Sequence, residues 1–140
     1  MRLWMVFALL LALAGCGDKG DYSSLHLVEV TGKVTLDGSP LAGAQVAFSG
    51  TDGHTPMGTT NDAGEYRLLY DSEHPGCTPG EKLVRITKGL IEEGADPEGT
   101  TDEGVPVVEP IPAIYNRQSK LSAEVSPSNR TFNFDLLSKP

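Results

Sequence analysis

Apolar and polar residues alternate from Leu27 to Leu36, with Val28, Val30, Gly32, Val34 and Leu36 on one face and Glu29, Thr31, Lys33 and Thr35 on the other. A period of two is that of a half-buried strand. Asp37-Gly38-Ser39-Pro40 interrupts it, because Gly38 can take a positive φ and Pro40 has a fixed φ and no N–H for a ladder. Ala44, Val46 and Phe48 then restore the inward face over Leu41 to Gly50. The pattern continues with a short third strand over Met57 to Thr60 and a fourth in which Tyr66, Leu68 and Tyr70 point inward. Between them Asp62 is expected to hold a type I turn by accepting backbone N–H groups, with Gly64 at the left-handed position that closes it. Pro79-Gly80 turns into a fifth strand, Glu81 to Lys88, carrying Leu83, Val84 and Ile86. A sixth follows over Lys120 to Val125, with Leu121, Ala123 and Val125 inward, and a seventh over Thr131 to Leu137, with Phe132, Phe134 and Leu136 closing the core. Seven strands separated by Gly, Pro and Asn turns predict an all-β, antiparallel Greek-key β-sandwich.

These landmarks resemble the carboxypeptidase regulatory-like domain family, sandwiches of the transthyretin (prealbumin) type. Val30 to Phe48 is similar to the family's V-x-G-x-V-x-x-D-G-x-P-L-x-G-A-x-V-x-F, and Thr59 to Tyr66 to its T-x-x-D-G-x-Y hairpin with the Asp shifted by one place. Pro79 to Ile86 resembles P-G-x-Y-x-V-x-I without its aromatic residue. Ile111 to Asn116 resembles [LI]-P-x-x-Y-x, whose Pro and Tyr anchor a crossing connection, and the last strand resembles F-x-F-x-L. The resemblance covers Val28 to Leu137. It implies a fold and no particular ligand, since such sandwiches host many roles.

The N-terminus changes the picture. Met1-Arg2 is a positive start, and Leu3 to Ala14 is an apolar run of 12 residues, short of the roughly 20 needed to span a bilayer. Leu13-Ala14-Gly15-Cys16 resembles the lipobox of bacterial lipoprotein signal peptides. That resemblance implies a signal peptide over residues 1–15, cleavage between Gly15 and Cys16, and acyl chains on Cys16. Two or three chains, at about 0.8 kcal/mol per buried methylene, make a stable anchor. Residues 16–26 then read as the lipidated Cys and a polar tether, and 27–140 as the domain. Gly17, rather than Asp, follows the Cys, which favours the outer over the inner membrane on the extracytoplasmic side.

Removing residues 1–15 takes away only Arg2 among the charges, leaving 10 basic and 19 acidic residues, so the formal charge moves from −8 to −9. An acidic chain without a basic cluster repels phosphate backbones, so no nucleic-acid partner is expected. The expected partners are the membrane, through the lipid, and envelope proteins; the domain itself is expected to be a monomer. Gly89 to Pro110 concentrates seven carboxylates and no base, which predicts a long, solvated acidic loop.

Candidate chemistry is sparse. Glu92, Glu93, Asp96, Glu98, Asp102 and Glu103 could serve calcium, but without EF-hand spacing. His74 and Cys77, three apart in DSEHPGCTPG, could share a soft metal, and His26 or His54 would join only if the fold brought them in. Catalysis is not expected. The Tyr-Arg-Gly-Ser ending of the transthyretin-like hydroxyisourate hydrolases is absent from Leu136-Leu137-Ser138-Lys139-Pro140, and the iron-binding Tyr/His pairings of intradiol dioxygenases are missing. No G-x-S-x-G, H-E-x-x-H or phosphate loop occurs. The reading is a structural or protein-interaction module of the envelope, without cofactor. Its alternatives are a solute-binding module for carbohydrate or peptide, which should show exposed aromatic residues, or a calcium-binding lipoprotein.

Overall fold

The computed structural model describes residues 21–88 and 110–140. Gly15, Cys16 and the carboxylates Glu92, Glu93, Asp96, Glu98, Asp102 and Glu103 therefore lie outside the described residues. Among those described, no helix is long and apolar enough to cross a membrane.

The chain forms two β-sheets around one core. The first is built on β1 (Thr31–Leu36). Along one flank β1 pairs antiparallel with β5 (Glu65–Arg67) through Thr31 to Lys33, and with the two-residue β2 (Ser39–Pro40) through Thr35 and Leu36. Along the other flank it pairs with β8 (Phe134–Leu136). The second sheet is antiparallel throughout, in the order β4 (Met57–Thr59), β3 (Gln45–Ser49), β6 (Gly80–Thr87), β7 (Leu121–Val125). Val30, Val34, Val46, Phe48, Leu68, Val84, Ile86, Val125 and Leu136 are buried between the sheets. The alternation read along β1, β3 and β7 therefore places the core as expected.

Several expectations are corrected. The last strand runs parallel to β1, with Val34 opposite Phe134 and Leu36 opposite Leu136, so the sandwich is not wholly antiparallel. A chain crossing from one sheet to the other is not bound to the antiparallel pairing that a tight hairpin imposes. Phe132 and Phe134 do share a face, edge-on to Phe48 at 5.7 and 6.3 Å, but both are only half-buried. On β6 the inward residues are Lys82, Val84 and Ile86, with Leu83 half-buried; a strict period of two cannot hold Leu83 and Val84 on one face. Tyr70 lies outside the core.

The turns show why particular residues stand where they do. Asp37 and Gly38 adopt φ of 50° and 82°, the two positive values of a type I′ hairpin turn, and Asp37 accepts hydrogen bonds from Ser138 N at 3.0 Å and Ser138 Oγ at 2.6 Å. Gly64 is at φ 76° as expected. The turn before it, however, is held by Asn61, whose Oδ1 accepts from Ala63 N at 3.0 Å and Glu65 N at 2.9 Å, while Asp62 is exposed. Asn61 stands two residues before Ala63, the offset at which an Asx side chain reaches back to the main chain. The connection before β7 is fixed by buried Asn116, whose Nδ2 donates to Ile111 O at 3.2 Å, and by Tyr115, whose hydroxyl accepts from Leu137 N at 3.2 Å.

Candidate functional site

Among the described residues an open groove of about 850 Å³ lies where the first sheet meets the second. Outward-facing residues of three strands line it: Thr31 and Lys33 of β1, Glu65 and Arg67 of β5, and Met57 and Thr59 of β4, with Leu69, Thr131 and Asn133 at its margins. Its shape comes from a split hairpin. β4 and β5 are successive strands whose register sets Met57 opposite Leu69 and Asn61 opposite Glu65. Met57 N donates to Leu69 O at 3.1 Å, Leu69 N to Met57 O at 2.8 Å, and Asn61 N to Glu65 O at 2.9 Å. The rung between, Thr59 with Arg67, is missing among the described residues. β4 has turned toward β3 and β5 toward β1, and at the crossing Gly58 rests on the Arg67 carbonyl, where a Cβ would come within 2.3 Å of the oxygen.

The groove sets apolar surface, including Met57 and Leu69, beside charged side chains of both signs. Arg67 Nη2 lies 2.9 Å from Glu29 Oε1, with both side chains about half exposed. Arg130 lines an adjoining hollow of about 310 Å³ with Glu29, Thr31 and Thr131. Asn133 Oδ1 accepts from Lys33 N at 3.0 Å, which fixes the third side. No motif announced this surface. Its residues come from three separated segments, and the only local hint was Gly58 between two exposed strand residues.

A second surface feature was equally hidden. Tyr22 stacks on His74 with ring centroids 4.1 Å apart, meets Tyr70 edge-on at 5.9 Å, and Tyr70 stacks on His54 at 4.1 Å. Asp71 sits beneath. The Glu73 backbone N–H, then the His74 ring and its N–H, hold the Asp71 carboxyl far below the usual range, and its hydrogen bond and charge push the Tyr22 hydroxyl up. The stack fastens Tyr22, within the stretch 16–26 expected to be a free tether, onto the loops at 52–54 and 70–75.

His74 and Cys77 have separate surroundings. Both carboxylate oxygens of Asp71 lie within 3.0 Å of His74 Nδ1. Cys77 is fully buried, bridged through its backbone to Val28, and burial pushes its thiol up to about 11. A buried protonated thiol is a poor metal ligand. Among the described residues no three His, Cys, Asp or Glu side chains gather as a metal-holding group. Nearby, Lys82 is only 3% exposed. Its aliphatic stem lies in the core side of β6, and its Nζ donates to Thr78 Oγ1 at 2.7 Å and lies 3.6 Å from Asp52 Oδ2. Thr78 Oγ1 in turn donates to Asp52 at 2.6 Å, and this bond leads in lowering the Asp52 carboxyl below its usual range.

No family model and no curated protein matches the chain. Among solved structures the chain is similar to a 9R-lipoxygenase from Cyanothece PCC8801, with 12% identity, a TM-score of 0.38 and coverage of 79% of this chain. The matched region spans 16% of that lipoxygenase's length.

Proposed function

We propose that the protein is a lipid-anchored module of a bacterial cell envelope, a sandwich of the carboxypeptidase regulatory-like, transthyretin-like kind that binds other envelope proteins and does not catalyse. The anchor reading rests on Leu13-Ala14-Gly15-Cys16 after a short apolar run, and Gly17 in place of Asp after the Cys favours the outer membrane. The family reading is supported by the positions that the resembling residues take. Gly32 lies under the Phe132 carbonyl, Asp37-Gly38 makes the turn, Gly64 has its positive φ and Tyr115 ties the C-terminal segment. The observation that carries the interaction role is the groove at the split hairpin. It is a broad, solvent-open sheet face with an apolar pair, Met57 and Leu69, exposed at 45% and 43% beside charged neighbours, the mixture found where proteins meet.

Fractionation with cross-linking tests this. The wild-type protein should partition with detergent-extracted envelope and Cys16→Ser with the soluble extracytoplasmic fraction, and cross-linking in intact cells should join the domain to envelope polypeptides. A protein that stays in the cytoplasm, or one that yields no cross-linked polypeptide, would contradict the proposal.

A further inference from the structure

We infer that the stack of Tyr22, His74, Tyr70 and His54 is a clasp that turns one end of the sandwich toward the lipid headgroups. That end carries the loops at 50–55 and 70–79, and the opposite end is left to face partner proteins. This rests on the anchor at Cys16 proposed above and adds the orientation that the anchor imposes. Strand directions define the two ends. β1 runs from Thr31 to Leu36, and β5 returns along it with Lys33 opposite Glu65 and Thr31 opposite Arg67. The turns at Asp37-Gly38 and Asn61 to Gly64 therefore share one end, together with Ser138, which donates to Asp37. Tyr70, beyond β5, lies at the other end, where Val28 and Cys77 exchange both main-chain bonds at 2.8 Å. His54, stacked on Tyr70, brings the 50–55 loop to that same end.

The clasp is built into the body of the domain. Asp71 Oδ1 accepts from Glu73 N at 2.9 Å and His74 N at 2.8 Å and lies 2.8 Å from His74 Nδ1, which sets the His74 ring. Tyr70 N donates to His74 O at 2.8 Å, closing the turn that holds the two rings together. Asp52 accepts from His54 N at 3.2 Å and from Thr78 Oγ1 at 2.6 Å, and the buried Lys82 ammonium group lies 3.6 Å away, so the loop carrying His54 is tied to β6. Against this frame Tyr22 lays its ring on His74 at 4.1 Å and edge-on to Tyr70 at 5.9 Å.

Chain length then decides the orientation. Tyr22 is six residues from Cys16, so even a fully extended chain reaches only about 20 Å. Without the clasp, the first residue bridged to the body of the domain is Val28, twelve residues from Cys16, and the reach doubles to about 40 Å. A domain of this size is about 35 Å across. The shorter reach forbids end-over-end reversal, and the longer one permits it. Nothing draws the clasped end into the bilayer. Asp21, Asp52, Asp71 and Glu73 lie there, and among the described residues no large apolar side chain of the loops at 50–55 and 71–79 is exposed. The tether alone sets its distance from the headgroups.

The test inserts the lipidated protein into phosphatidylcholine vesicles whose headgroups carry an acceptor dye. A donor dye is placed on Ser72→Cys at the clasped end or on Asp62→Cys at the far end; both positions are exposed, whereas Cys77 is buried. Energy transfer should be at least twofold more efficient from position 72 than from position 62. Tyr22→Ala should remove at least half of that difference, and Tyr22→Phe, which keeps a ring on His74, should preserve most of it. Six Gly/Ser residues inserted after Gly20 should act as Tyr22→Ala does, with the stack intact. Urea melts establish that each variant is folded. Equal transfer from the two positions, greater transfer from position 62, or a difference indifferent to Tyr22→Ala would overturn the inference while leaving the anchor in place. A protein that does not float with the vesicles would remove the anchor reading, and the orientation with it.

Discussion

Gly32→Ala probes the contact on which the first sheet depends. A Cβ built at Gly32 would lie 1.7 Å from Phe132 O, 2.7 Å from Phe132 C and 2.8 Å from Tyr66 Cε1. Ordinary carbon–oxygen contacts are about 3.3 Å, so the Phe132 carbonyl would have to retreat by roughly half that distance. The retreat strains three links between β1 and the last segment: Tyr66 Oη to Phe132 O at 2.7 Å, Phe132 N to Thr31 O at 3.0 Å, and Lys33 N to Asn133 Oδ1 at 3.0 Å. Overpacking costs about 1–3 kcal/mol, and each hydrogen bond lost about 1 kcal/mol. The expected loss is therefore about 3–5 kcal/mol, a large part of a typical stability of about 5–15 kcal/mol. Urea unfolding of the purified protein by circular dichroism measures it. Tyr66→Phe, which removes only the hydroxyl, should cost about 1 kcal/mol. Because Gly32→Ala already breaks that bond, the double variant should be less destabilised than the sum of the two, by a coupling of about 1 kcal/mol. A loss below about 1 kcal/mol for Gly32→Ala, or strict additivity, would show that the last strand does not cross over Gly32.

Asn61→Ala should cost about 1–2 kcal/mol, as loss of a capping side chain does, whereas Asp62→Ala should stay within about 0.5 kcal/mol; thermal melts separate them, and the reverse order would return the turn to Asp62. Phe134→Ala should cost about 2 kcal/mol in urea melts, below the roughly 3–5 kcal/mol of a fully buried ring, because the side chain is only half-buried. Cys77, pushed up by burial to about 11 from an ordinary 9.0, stays protonated in the folded protein while the unfolded thiol ionises. Stability should therefore be intact below pH 9 and fall as pH rises toward 11, by up to about 3 kcal/mol. Cys77→Ala should flatten that stretch of the pH profile, and an unchanged slope would argue against the burial.

The core was legible because burial on a strand leaves a local trace. Val30, Val34, Val46, Phe48, Ala123 and Val125 all lie on the face that alternation assigns, and the positive φ of Gly38 and Gly64 followed from turn chemistry. What stayed hidden depends on partners distant in sequence. Nothing near Phe134 tells whether its neighbour runs parallel or antiparallel, since the in-and-out pattern is the same for both. The burial of Lys82 beside Val84 and Ile86 depends on Thr78 and Asp52, which receive its ammonium group. Tyr22 looked like part of a polar tether, yet it meets His74 and Tyr70, about fifty residues on. The groove is a gap in a ladder, and a missing hydrogen bond between Thr59 and Arg67 has no signature in residue type.

The claim on which the functional account turns is that the domain is displayed from a membrane by lipid on Cys16. Intact-mass spectrometry of the protein extracted from its host's envelope tests it most directly. The account predicts a chain that begins at Cys16 and carries the added mass of a diacylglyceryl group with or without an N-acyl chain, and Cys16→Ser should lose both the added mass and the membrane association. A chain beginning at any other residue, or one beginning at Cys16 with a free thiol, would contradict it.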